Sequence, residues 1–104
     1  MIITTSSTIA GKEVKQTFGT VKGNTIRARN IGKDLLALLK NIIGGEIQEY
    51  TKLMAEAREQ SIDRMMEEAK ALGANAIIDC RFSTSYIMAS AAEILVYGTA
   101  VYVE

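Results

Sequence analysis

Hydrophobic and polar positions alternate with a period of two at the start of the chain. Ile2-Ile3-Thr4-Thr5 is short and β-branched, and Ser6 to Gly11 reads as a connection. Over Lys12–Thr20, Val14, Gln16 and Phe18 fall on one side of a strand, with Lys15 and Thr17 on the other. Gly23-Asn24 then predicts a tight turn. Ile26 and Ala28 share one face of the returning segment, and Arg27 and Arg29 hold the other, which makes a hairpin with one wet side.

Beyond Asn30 the period becomes helical. Leu35, Leu36, Leu38, Leu39, Ile42 and Ile43 recur at steps that predict a helix, with Asn30 or Gly32 at its cap. Gly44-Gly45 stops it, because each glycine costs about 1 kcal/mol against alanine in a helix interior. A second, longer helix is expected from Glu46 to Leu72, closed by Gly73. Its apolar row runs Ile47, Tyr50, Met54, Ala57, Ser61, Met65, Ala69, Leu72, in steps of three or four. A neighbouring stripe of Leu53, Ile62, Met66 and Ala69 widens the apolar face beyond what one sheet covers, so the helix is expected to pack on a second surface as well. On the remaining face Glu56, Glu59, Asp63 and Glu67 form an acidic row, read as solvated because Arg58, Arg64 and Lys70 lie close by.

Period two returns after Gly73. Ala76, Ile78, Cys80, Phe82, Thr84 and Tyr86 fall on one side of a strand, and Ile77, Asp79, Arg81, Ser83 and Ser85 on the other. A break at Met88-Ala89-Ser90 precedes a last strand, Glu93 to Val103, whose two faces are both apolar. A strand apolar on both sides is central or covered by another subunit. The fold class expected is therefore α+β: an antiparallel sheet of three to four strands with a helical hairpin on one face, in the order β-β-α-α-β-β. The second face would be covered by copies of the same chain.

Composition narrows the chemistry. A length of 104 residues suits one domain, 1–104, and the absence of proline leaves no rigid linker on which to divide it. No histidine is present, which removes imidazole-based triads, imidazole zinc sites and the commonest general base near neutral pH. A single cysteine excludes internal disulfides and C-x-x-C pairs, and a lone thiol suits a reducing, cytoplasmic setting. Formal net charge is zero, with scattered signs, so nucleic acid is not expected as partner, and with no stretch approaching the ~18 consecutive apolar residues of a span no membrane is expected either. Lys22, Arg27 and Arg29 are the nearest approach to an anion-binding face.

Cys80 is the candidate soft-metal ligand, weighed against a buried thiol between Ile78 and Phe82. Met54, Met65 and Met66 sit on the apolar stripes and read as core filler, with Met88 further off. Tyr50, Tyr86, Tyr97 and Tyr102 suit subunit contacts, where tyrosine is enriched. For catalysis there remain Glu46, Asp79 and Glu93, with Arg58 and Arg81 as electrostatic partners. No sequence feature builds a pocket around them, and an enzyme is not expected.

Gly44-Gly45-Glu46, Tyr50, Ala57-Arg58, Leu72-Gly73-Ala74-Asn75-Ala76-Ile77 and Tyr97-Gly98-Thr99-Ala100-Val101, in this order and spacing, resemble the YbjQ family. These are small, largely uncharacterised prokaryotic proteins labelled "putative heavy-metal-binding". The resemblance spans the whole chain and implies a dodecin-like subunit assembled as a ring, a homopentamer. It also implies a soft or heavy metal ion, or a related soft element such as selenium, as candidate ligand. No family ligand motif maps onto this chain residue by residue. A metal site would need Cys80 repeated across subunits, or carboxylates at a subunit boundary. Glu46, Tyr50 and Arg58 are the residues expected in an inter-subunit ion pair or pocket. The function expected is thus a homo-oligomeric binding protein, with a metal-free interaction ring or a small enzyme as alternatives.

Overall fold

In the computed structural model of the protein, the backbone is described for residues 1–28, 42–43, 46–88 and 91–104, and side chains are described for these except at 28, 42–43 and 46–50. The elements in chain order are β1 (Ile2–Ile3), β2 (Val14–Ala28), β3 (Ile42–Ile43), β4 (Glu46–Ile47), α1 (Gln48–Ala71), β5 (Ala76–Met88) and β6 (Ala91–Val103). Four of the strands form one sheet in the order β1-β5-β6-β2, and β3 pairs antiparallel with β4. The class is α+β, but the sheet is mixed, because β1 runs parallel to β5 through Ile2↔Ala76 and Ile3↔Ile77.

The expected hairpin at Gly23-Asn24 does not form. β2 runs unbroken for 15 residues and pairs with the last strand, from Val14↔Val103 to Ala28↔Ala91. Gly23 lies under the helix: a Cβ there would meet the Ser61 carbonyl oxygen, and would lie 2.6 Å from the Met65 nitrogen and 3.1 Å from Arg64 Cβ. The glycine serves close packing of helix on sheet, not chain reversal. The wet side is also reversed. Val21, Gly23 and Thr25 face the helix and are buried, Arg27 on that face is half-buried, and Ile26 on the other face is 56% exposed. The first helix, predicted over Leu35–Ile43, lies outside the described residues except at Ile42 and Ile43, which are strand. Glu46 and Ile47 are strand as well, so the long helix starts at Gln48.

α1 packs on β2 and β6 with the predicted row: Ala57, Ser61, Met65 and Ala69 are all fully buried. Leu72, at the end of that row, is exposed. Ile62 and Met66 of the second stripe pack at the margin of the core formed by Val21, Ile77, Cys80, Val96 and Ala100. Glu56, Glu59, Asp63 and Glu67 face outward. The helix ends in a Schellman motif: the Gly73 N–H donates to Lys70 O at 3.0 Å and the Ala74 N–H to Ala69 O at 3.1 Å, with Gly73 at φ 92°. Asn75 then acts as a strand partner, since its Nδ2 donates to Val103 O at 2.9 Å and its Oδ1 accepts from the Val103 N–H at 2.8 Å.

The last strand is covered on both faces for part of its length, and both covers belong to the same chain, where copies of the chain were expected on the second face. On the face away from α1, Ala76, Val101 and Val103 form a second cluster closed by Ile78 and by Ile9 of the N-terminal segment. Glu13 and Glu104 exchange backbone hydrogen bonds of 2.9 and 3.0 Å, which holds that segment against the end of β6. Toward the other end the sheet projects. The molecule measures 52 × 25 × 16 Å, with a radius of gyration of 17.0 Å; a compact domain of this length has about 13 Å.

Candidate functional site

Cys80 owes its position to a bulge. The register passes from Ile78↔Thr99 to Arg81↔Tyr97, so Asp79 and Cys80 together oppose Gly98. Asp79 takes a left-handed conformation, φ 53°, which aspartate tolerates better than most residues. Gly98 admits the bulge: a Cβ on it would lie 2.6 Å from Ile77 Cγ2 and 3.0 Å from Ile78 O. The N-terminal segment clamps the bulge from outside. The Asp79 N–H donates to Ser6 O and the Cys80 N–H to Thr4 O, each at 3.0 Å, and Ser7 Oγ donates to Asp79 Oδ1 at 2.7 Å. Arg81 Nη1 donates to Thr5 O and Cys80 O, both at 2.8 Å.

The bulge reverses the parity of the strand. Cys80 therefore joins Ile77, Val96 and Ala100 on the helix side, parted from Ile78, while Phe82 stays on its side of the strand without being buried as the alternation predicted. Phe82 is 48% exposed because α1 does not extend over β5. Cys80 itself is only 4% exposed, and burial pushes its thiol above the usual value of 9.0, against a smaller downward pull from Arg81. A protonated thiol in an apolar core is a poor soft-metal ligand. Among the described residues no three His, Cys, Asp or Glu side chains come together as a metal site. The described residues do not fit a metal centre within one protomer.

Among the described residues the other candidates do not converge either. Asp79 is held by Ser7, whereas Glu93 accepts from Asn24 Nδ2 at 3.2 Å. Met65 is core, and Met88 is exposed at the end of β5. Tyr86, Tyr97 and Tyr102 are all exposed. The side chains of Glu46 and Tyr50 lie outside those described, and so does Arg29. Arg58 is exposed and lines an open groove of about 240 Å³ with Thr51, Met54, Thr84 and Ile94. Sequence periodicity gave no sign of this groove, because it arises from where the helix crosses the sheet.

Two buried polar groups were also missed. Ser61 Oγ lies 2.9 Å from Thr25 Oγ1, 2.9 Å from Ala57 O and 3.1 Å from Ile94 O, a hydroxyl knot between helix and sheet. Arg27 donates from Nη2 to Gln60 Oε1 at 2.8 Å, while its buried Nε has no partner among the described residues.

A family model described as "putative heavy-metal-binding" matches residues 1–104. Curated relatives named UPF0145 protein are 54% identical in Methanosarcina acetivorans over 97% of this chain and 95% of theirs, and 57% identical in Dehalococcoides mccartyi over the full length of both. Their name states no activity. Among solved structures, a Pediococcus pentosaceus protein of unknown function from the DUF74 family is similar in fold. Its TM-score is 0.72 at 16% identity, and the match covers 100% of this chain and 98% of that one. Among the described residues no helix is long and apolar enough to cross a membrane.

Proposed function

For a chain that belongs to the YbjQ family, we propose a function exercised through self-assembly: copies pair along the projecting end of the sheet into a closed homo-oligomer, a pentamer by family resemblance, which serves as a cytoplasmic binding protein. One observation carries this reading. The ribbon of β2, β6 and β5 extends the molecule to 52 Å, and its end carries Ile26, Phe82, Tyr86, Ile87 and Met88, all exposed, Tyr86 at 74% and Met88 at 60%. Ile26 lies on the sheet face away from α1 and Phe82 and Tyr86 on the face toward it, so both faces of the ribbon leave large apolar side chains in water, and such exposure marks an interaction surface. The outer edge of β5 past Arg81 also has no strand beside it among the described residues. An edge of this kind is a template for pairing with another chain.

Metal binding stands apart from this. The family description favours it, but a thiol buried within its own protomer cannot meet its symmetry copies without the helix lifting away. We therefore assign the binding function to the assembly and not to Cys80. Titration of Cu(I), Zn²⁺ and selenite is expected to give the same isotherm for wild type and Cys80→Ser. Loss of binding in the variant would return Cys80 to a ligand role.

The assembly is tested by putting charge on the ribbon end. The double variant Ile87→Lys, Met88→Lys removes two exposed apolar side chains and buries nothing new. It is expected to elute as a monomer of about 11.3 kDa with an unchanged far-ultraviolet spectrum. Elution identical to the wild-type oligomer would show that this surface is not the contact.

A further inference from the structure

α1 lies over β2 and β6 and leaves the same face of β5 open. This offset creates the groove: Thr51, Met54 and Arg58 form its helical wall, with Thr84 of β5 and Ile94 of β6 below. Phe82 and Tyr86 stand two residues either side of Thr84 but belong to the ribbon surface assigned above to subunit contact, so the groove is bounded by its five lining residues alone. We propose that this groove binds a small organic anion with a flat apolar body, its carboxylate or equivalent group taken by the Arg58 guanidinium.

The electrostatic argument comes from the helix. Lys52 has Glu49 and Glu56 at i−3 and i+4, Arg64 has Glu67 and Glu68 at i+3 and i+4, and Lys70 has Glu67 at i−3. Arg58 alone among the cations of α1 has no such carboxylate: its neighbours at these positions are Met54, Ala55, Ser61 and Ile62. No carboxylate pairs with it elsewhere among the described residues. A guanidinium with no counter-charge among the described residues, at the mouth of an apolar groove, is complementary to an anion whose remainder is apolar, and its fork suits a carboxylate in two-point contact. Thr84 carries a hydroxyl at the floor, and Met54 supplies an adaptable wall. At about 240 Å³ the groove is smaller than the sites of drug-sized ligands, about 300–1,000 Å³, so the body is one or two rings. All five lining residues come from one protomer, so the inference does not rest on the assembly proposed above.

The test uses 2-naphthoate, with 2-naphthalenemethanol as its neutral counterpart. Titrations are followed by NMR on the methyl groups of Met54 and Ile94, with sedimentation recorded on the same samples. Naphthoate is expected to shift both methyls to saturation at one site per chain, and Arg58→Gln to weaken it by about tenfold, the scale of one charge-assisted contact. Lys70→Gln, which removes an equal charge elsewhere on the helix, is expected to leave the affinity unchanged. The neutral alcohol is expected to bind wild type and Arg58→Gln alike. No saturable shift at Met54 and Ile94, equal naphthoate affinity in wild type and Arg58→Gln, or equal weakening in Lys70→Gln would each overturn the proposal. A monomer that still binds naphthoate through Arg58 would remove the assembly and leave the groove standing.

Discussion

At the scale of single residues, Asp79 and Cys80 show how one extra residue in a strand redirects chemistry. The left-handed Asp79 carries backbone strain on the order of 1 kcal/mol, offset in part by its bonds to Ser6 and Ser7. Thermal melts of an Asp79 series should therefore rank Asn and Gly near wild type, Ala below them and Val lowest, since a β-branched side chain fits φ 53° worst. Val melting at the wild-type temperature would mean that the bulge relaxes freely. The Cys80 thiol makes a second prediction. Its folded pKa is raised, so its contribution to stability is complete below the ordinary value of 9.0 and is lost as pH climbs from there through the folded value. Denaturant midpoints measured from pH 7 to 10.5 should fall more steeply for wild type than for Cys80→Val. Parallel curves would place the thiol in contact with water. None of this was legible in the sequence, because strict alternation through Ile78, Cys80 and Phe82 contains no sign of a bulge; only Gly98, on the facing strand, hinted at close backbone approach.

At the scale of elements, the helix was the most legible part of the chain. The row Ala57, Ser61, Met65, Ala69 was read from spacing alone and is the fully buried face, because helical period and burial report the same geometry. Met65→Ala is expected to cost about 2–5 kcal/mol, as for other large-to-small core changes, measured by urea unfolding. Gly23 was misread because glycine relieves crowding in two ways, by allowing a turn or by allowing close approach, and sequence shows only the missing side chain. Here the Ser61–Thr25 hydroxyl contact and the adjoining Gly23 let α1 settle onto β2. Gly23→Ala should destabilise by on the order of 3 kcal/mol, since its Cβ meets helix backbone and no flexible side chain is there to yield. A turn-type glycine in a solvated loop would show a change of less than about 1 kcal/mol in the same experiment.

At the scale of the whole molecule, the apolar pattern of the last strand indicated cover on both faces; copies of the chain were expected to supply the second cover, and for part of the strand the chain's own N-terminal segment does so. Ile9 sits in a Ser- and Thr-rich connection with no periodicity, yet it closes the cluster of Ala76, Val101 and Val103. Met1, Ile2, Val14, Leu72, Tyr97 and Tyr102 are exposed elsewhere, but at the projecting ribbon Tyr86, Ile87 and Met88 meet water on a strand edge that has no strand beside it among the described residues. Apolar exposure and an open strand edge coincide at the ribbon, and the central claim reduces to a mass. Sedimentation equilibrium of the wild-type chain across micromolar concentrations is predicted to return a single species at a whole multiple of 11.3 kDa, five by family resemblance. A stable species of 11.3 kDa throughout that range would contradict it.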